Sequence, residues 1–152
     1  MENSRAVARL AAVQALFQLE ATGAGVESTL LEFDAHRLGE DLDGAILHDA
    51  DRDHFEAVVK GVVEGQRRID PYIERNLAQN WTLARLDATA RAILRAALFE
   101  LTQRPDIPFR VVIDEYLDVA RAFFDEDEPK FINAVLDAAA RAARPDEFVK
   151  AC

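Results

Sequence analysis

The stretch Pro108-Phe-Arg-Val-Val-Ile-Asp-Glu115 runs on through Tyr116-Leu-Asp-Val-Ala-Arg-Ala122 to two phenylalanines, Phe123 and Phe124. Four acids follow, Asp125 to Glu128, and then Pro129-Lys-Phe-Ile-Asn-Ala-Val-Leu-Asp137. Apolar residues recur on both sides of the acidic run at the three- and four-residue intervals of a helix face, and the run itself has none. The pattern predicts two helices, over residues 111–124 and 129–143. They meet at a tight acidic joint that carries paired aromatics before it and a lysine and an asparagine after it. A joint of that kind is a place to hold something, and nothing else in the chain is equipped for chemistry.

Working outward, helical periodicity continues in both directions and no segment alternates like a strand. A first helix, residues 5–22, is rich in alanine and leucine and stops at Gly23-Ala24-Gly25. A short helix over 27–36 and an acidic, glycine-marked connection over 39–44 follow. A third helix over 51–67 carries Phe55, Val58, Val59, Val62 and Val63 on one face. Asp70-Pro71 reads as a fresh start, with aspartate as N-cap and proline in the first helical position, for a fourth helix to residue 77. Trp81 and Leu83 lie in the next segment. Asp87 then caps a strong helix over 88–102, which Arg104-Pro105-Asp106-Ile107-Pro108 breaks. The expected fold is all-α, one domain over residues 1–146 of about seven helices, with a frayed tail at 147–152. Its core should contain Leu16, Val59, Ile93, Leu94, Leu98, Leu101, Ile113, Leu117, Phe131, Val135 and Leu136.

Composition narrows the function. The chain has 152 residues, 50% apolar and 30% charged, an ordinary balance for one folded domain. No apolar run approaches the ~20 residues of a membrane span, the N-terminus does not read as a signal peptide, and the single cysteine, Cys152, allows no disulfide framework. These features fit the cytoplasm. The formal charge of −10 argues against generic nucleic-acid binding. It is unevenly spread, however. Residues 25–56 carry ten acids against Arg37 and Arg52, whereas residues 57–104 carry eight basic residues against five acids. A nucleic-acid site would have to be local.

No enzyme is indicated. There is no Gly-rich phosphate loop, nucleophile elbow or cysteine pair, and no cofactor is expected. His48 and His54 are six residues apart, about 120° apart around a helix, so they do not share a face as metal ligands would. That region reads as a solvated acidic helix start, and no metal is expected. Asp125 to Glu128 lack the spaced ligands and turn glycine of a calcium loop. Arg5 and Arg9, four residues apart, project from one face of the first helix. They are either a solvated face pairing with Glu2 or contacts to phosphate, for which the forked arginine donors are suited. Phe123 and Phe124 point about 100° apart, so one packs and the other lies near the surface, against an unpaired base or a partner protein.

Four blocks, in order, resemble the NusB family of bacterial transcription antitermination factors. Arg9-Leu-Ala-Ala-Val-Gln14-Ala-Leu-Phe17 is similar to the opening helix of that family. Arg91-Ala-Ile-Leu-Arg95-Ala-Ala-Leu-Phe99-Glu100-Leu101 is similar to its Leu-Arg…Tyr-Glu-Leu helix, and Pro108 to Glu115 resembles Pro-x-x-Val-x-Ile-Asn-Glu. Lys130 to Asp137 resembles Lys-Phe-Val-Asn-Gly-Val-Leu-Asp. The resemblance implies two packed helical bundles and a non-catalytic adaptor. Such an adaptor binds the boxA element of nascent leader RNA together with NusE, a ribosomal protein, and supports read-through by the RNA polymerase antitermination complex, notably in ribosomal RNA operons. Carried over by position, it implies an RNA surface of Arg5, Arg9, Phe123, Asp127 and Lys130. Phe17, Ala90 and Arg91 would lie toward NusE.

The chain departs from the family pattern. Ala6, Val7 and Ala8 separate Arg5 from Arg9 where the family often has consecutive arginines. Asp114 stands for the family's asparagine, Ala134 for its glycine, and Phe17 for its tyrosine. Fewer cations imply weaker binding to RNA alone, which a basic partner would offset and an acidic surface would attract. The second reading is a protein-interaction module of the same fold, or a homodimer, with weak or lost RNA binding.

Overall fold

The computed structural model describes residues 2–33, 49–78 and 81–147, and these are helical with short connections. In chain order they form α1 (Glu2–Thr22), α2 (Val26–Phe33), α3 (Asp49–Glu74), a 3-10 turn (Leu83–Arg85), α4 (Ala88–Gln103), α5 (Phe109–Phe123) and α6 (Asp127–Ala143). The acidic connection at 39–44 and His36 and His48 lie outside the described residues.

The fourth helix has apolar or small residues almost all round: Ala92, Ile93, Leu94, Ala96, Ala97 and Leu98 are all at most 3% exposed. A helix of that kind must be enclosed, and two sets of neighbours enclose it. Helices α1 and α3 pack on one side, with α2 against both, while α5 and α6 pack on the other and against each other. The result is two helical bundles sharing α4. The residues expected in the core are buried, except that Phe131 is half-buried. Val63 is exposed at the rim of the α3 face.

Local signals set the ends of α4. The Asp87 carboxylate accepts from the N–H groups of Thr89 (2.8 Å) and Ala90 (3.2 Å), as a capping aspartate should. At the other end Arg144, buried in the second bundle, donates to the carbonyls of Glu100 (3.1 Å), Leu101 (3.0 Å), Arg104 (2.7 Å) and Ile107. One guanidinium thereby satisfies carbonyls that a helix end leaves without partners. Its Nη1 also reaches Glu147, whose other oxygen accepts from the N–H of Phe109 at 3.1 Å. Glu147, assigned to the frayed tail from sequence, is thus tied to the fold; residues 148–152 lie outside the described set.

One boundary expectation fails. Asp70-Pro71 does not begin a new helix: α3 runs through Pro71 to Glu74. Proline removes one donor near the end of the helix, but burial wins. Ile69 and Ile73, four apart on one face, are 5% and 0% exposed. Asp70 does not serve as a cap, because its two oxygens accept from Nε and Nη2 of Arg95, both at 2.9 Å. Burying one isoleucine contributes roughly 1.5–3 kcal/mol, so two outweigh the lost hydrogen bond of about 1 kcal/mol.

Candidate nucleic-acid and partner interface

Arg9 is not where the sequence placed it. Its side chain turns inward and is only 2% exposed. Nε and Nη2 donate to Glu100 at 3.0 and 2.9 Å, and Nη1 donates to Glu115 at 3.0 Å. Glu100 is itself fully buried and also accepts from the Tyr116 hydroxyl and from Nε2 of His54 at 3.2 Å. One carboxylate on α4 thus joins α1, α3 and α5. Burial alone would push the Glu100 carboxyl up. The hydrogen bonds from His54 and Arg9, and the charge of Arg9, outweigh it and hold the group at about 2. Burial likewise acts against the Arg9 charge and is more than offset by Glu100. Tyr116 is pushed well above its ordinary value by burial and by the adjacent Glu100 charge. Arg9 therefore leaves the RNA-facing set. The sequence held a signal for this, since a glutamate inside the apolar run Ile93–Leu101 must find a buried partner.

Arg5, one turn earlier, is exposed. It borders a shallow groove of about 310 Å³ with Val111, Asp114, Glu115 and the small part of Arg9 that is not covered. The neighbouring carboxylates, including Asp114 where the family carries asparagine, reduce the positive potential that a phosphate would meet.

The two phenylalanines divide as expected. Phe124 packs partly against the core, while Phe123 is 42% exposed at the end of α5. Phe17, on α1, is also 42% exposed. The fold brings Phe17 and Phe123 to one groove of about 410 Å³, which buried Val13 and Phe33 and the polar Gln14, Gln18 and Thr89 also line. Sequence reading had given these phenylalanines to two different surfaces. In α5, Tyr116 and Phe123 are seven residues apart and share a face, so the Glu100 cluster fixes that face about 10 Å from the groove.

The other two partner-facing assignments need correction. Ala90 is 4% exposed and offers no side chain to a partner. Arg91 is occupied: Nη1 donates to the carbonyls of Leu83 (2.7 Å) and Leu86 (2.8 Å), and Nε donates to Glu20 at 2.9 Å. It fastens the 3-10 turn to α4. Thr89 is the residue of that segment that reaches the groove.

A second groove, of about 380 Å³, opens at the α5–α6 joint between Leu117, Arg121, Asp125, Glu126, Pro129, Lys130 and Asn133. Lys130 lines it with an exposed side chain. Asp127, in the first turn of α6, is exposed and favoured there by the helix dipole. Arg121 pairs with Asp118 at 2.9 Å, an exposed bridge worth little. Asn133 was noted from sequence beside Lys130, whereas Arg121 was not, because only the folded joint brings it to the same groove. The end of α5 contributes to both grooves, Phe123 to one and Arg121, with Asp125 just past the helix, to the other. Among the described residues no cluster of histidine, cysteine or carboxylates could hold a metal ion. None of the described helices is long and apolar enough to cross a membrane.

Comparison with known proteins gives one answer. The model of the NusB family matches residues 6–141. The Transcription antitermination protein NusB of Mesorhizobium japonicum is 51% identical over 142 residues, spanning 93% of this chain and 92% of the relative. Its namesake from Rhizobium leguminosarum bv. trifolii is 53% identical, with 93% and 89% covered. Among solved structures, NusB of T. maritima superposes with a TM-score of 0.80 at 33% identity, covering 95% of this chain and 96% of the other. A NusB chain solved with NusE and double-stranded RNA has the same fold, with a TM-score of 0.74 at 24% identity.

Proposed function

The chain belongs to the NusB family, and from that premise we infer that the two grooves to which the end of α5 contributes are the working surfaces of an antitermination adaptor. The chain is a transcription antitermination factor and not an enzyme, as its relatives are. Its partners in this reading are NusE, which takes the phenylalanine groove, and boxA RNA of nascent leader transcripts, which crosses the joint at Lys130. Together they serve the RNA polymerase antitermination complex in the cytoplasm.

The observation that carries the reading is the pairing of Phe17 and Phe123. Two large apolar side chains, each 42% exposed and facing one groove, are a desolvation site awaiting a partner. The acidic balance of the chain favours a basic ribosomal protein as that partner. On the RNA side the exposed set is reduced to Arg5 and Lys130, with Phe123 between the two surfaces and Asp127 as a base-edge acceptor or a limiter of affinity. So small a cationic set predicts weak binding to RNA alone and a gain when NusE is present, because two surfaces offered together raise the effective concentration.

The test is a titration of boxA RNA with and without purified NusE, at low and high salt. The expected result is salt-sensitive binding that NusE strengthens. Binding of neither NusE nor RNA at low salt, with self-association instead, would replace this reading by the homodimer.

A further inference from the structure

We propose that the groove between α3 and α4 is a third docking surface, which takes an acidic amphipathic segment of a further protein. The site goes beyond the reading above; only its use alongside NusE and RNA rests on that reading.

The groove, of about 410 Å³, is lined by Gly61, Gly65, Ile69 and Tyr72 of α3 and by Phe99 of α4. Its two glycines differ. A Cβ at Gly61 would overlap the Phe99 ring, so the packing of α4 on α3 requires that glycine. A Cβ at Gly65 would meet nothing closer than Cδ1 of Ile69 at 3.6 Å, an ordinary contact. Glycine in a helix costs stability relative to alanine, and packing within the chain gives no reason for it at 65. The missing methyl leaves room in the groove for an apolar side chain from outside.

The charged side chains of the groove select the partner. Arg68 lines it, is exposed, and makes no ion pair or side-chain hydrogen bond among the described residues. The Arg75 guanidinium, 5.0 Å from the centroid of the Tyr72 ring, adds a second cation. Against them stands Glu64. The other carboxylates toward the end of α3 are engaged, Asp70 by Arg95 and Glu74 by the Leu83 N–H. The local balance is positive on a chain whose net charge is −10, so this groove complements carboxylates. An amphipathic helix laid in it presents apolar residues to Ile69 and Phe99 and acids to Arg68 and Arg75.

Single-stranded RNA is less well matched, because stacking needs an open ring face. Phe99 is 8% exposed, and Arg75 already lies over half-buried Tyr72. No residue of this groove lines the Phe17–Phe123 groove or the α5–α6 joint, so the three surfaces draw on separate side chains.

The probe is a short labelled peptide of leucine, phenylalanine and glutamate, patterned as an amphipathic helix, with a lysine-for-glutamate counterpart as control. Each is titrated against the full chain by anisotropy, and the site is located by amide shifts in isotope-labelled protein. The expected result is saturable, salt-sensitive binding of the glutamate peptide alone. Its shifts should centre on Gly61, Gly65 and Gln103 and persist when NusE is bound first. Gly65→Ala fills the groove and should weaken the peptide by about fivefold or more, the loss of one anchoring contact. The same substitution should raise the melting temperature, because alanine is the better helix former. A merely structural role for Gly65 would not move the two readouts in opposite senses. Arg68→Glu should weaken the peptide by about tenfold and remove most of its salt dependence.

Equal binding of both peptides, shifts centred elsewhere, or an affinity untouched by Gly65→Ala overturns the proposal. Shifts at Gly61 and Gly65 produced by RNA, by NusE or by a second copy of the chain assign the groove to that partner and also overturn it. Failure of the glutamate peptide to bind, while NusE and boxA RNA bind, sinks this proposal alone. Peptide binding by a chain that takes neither NusE nor RNA sinks only the two-groove reading above.

Discussion

Two regions touching α5 treat charge in opposite ways. At Tyr116 the helix meets a closed cluster in which Arg9 and Glu100 are almost fully removed from water. About 10 Å further along, at the α5–α6 joint, Lys130, Asp127 and Arg121 stand in solvent. Both regions are built from similar residue types, and Arg9 of the first was read from sequence as sharing one RNA surface with Asp127 and Lys130 of the second. The difference is enclosure. A buried ion pair is a poor source of net stability, because apolar residues of similar volume would do as well. What it supplies is a unique geometry, since Glu100 is satisfied only when α1, α3, α4 and α5 stand in one arrangement. That arrangement carries Phe17 and Phe123 to one groove.

The largest expected effect breaks the closed region. Arg9→Ala leaves the Glu100 charge buried without its main partner and should cost about 3–5 kcal/mol of stability, read from urea unfolding. A cost of only a few tenths would return Arg9 to the surface and restore it as an RNA contact. The same cluster sets a pH dependence. The folded-state value of Glu100, about 2, lies below the ordinary 4.5. A depressed carboxylate contributes stability that is fully present above its unfolded value and is lost as pH falls toward its folded value. The wild-type chain should therefore lose stability between about pH 4.5 and about pH 2, and Glu100→Gln should flatten that part of the curve.

A smaller effect separates the adjacent phenylalanines. Phe124→Ala should cost on the order of 2 kcal/mol of stability, about half the loss of a fully buried phenylalanine, with little change in NusE affinity. Phe123→Ala should do the reverse, weakening NusE binding by about tenfold with the melting temperature nearly unchanged. Equal effects of the two on either measurement would mean that the groove does not end at Phe123.

The helices were legible in sequence because periodicity and caps are local. The Asp87 cap, the break at Pro105 and the glycine stop of α1 all lie within a few residues of what they control. Pro71 misled because the competing influence, burial of Ile69 and Ile73, comes from the rest of the fold. The candidate site was half legible. Phe17, Phe123 and Lys130 were carried over by positional resemblance and are exposed at the grooves, and the spacing of Phe123 and Phe124 gave the division between them that their burial shows. Arg9 was misplaced because four-residue spacing says that it shares a face with Arg5, not how far along that face the neighbouring helices reach. Ala90 and Arg91 came from positional resemblance, which gives the neighbourhood of an interface but not which side chain is already occupied.

The smallest expected effect tests the open region from both signs. Lys130→Ala removes one exposed cation from the joint groove and should weaken boxA binding modestly, lowering the salt slope by about 0.7, the share of one single-strand phosphate. Asp127→Asn removes a carboxylate from the same joint while keeping an acceptor oxygen. Its cost to the fold is small, a few tenths of a kcal/mol from the lost helix-dipole interaction. If Asp127 only limits affinity, its substitution should leave RNA binding intact or tighten it, most visibly at low salt, where screening is weakest. If it accepts a hydrogen bond from a base, the asparagine oxygen would still serve, and a change in sequence preference would accompany any change in affinity. Loss of all binding on Asp127→Asn, with Lys130→Ala silent, would move the RNA path away from the joint altogether.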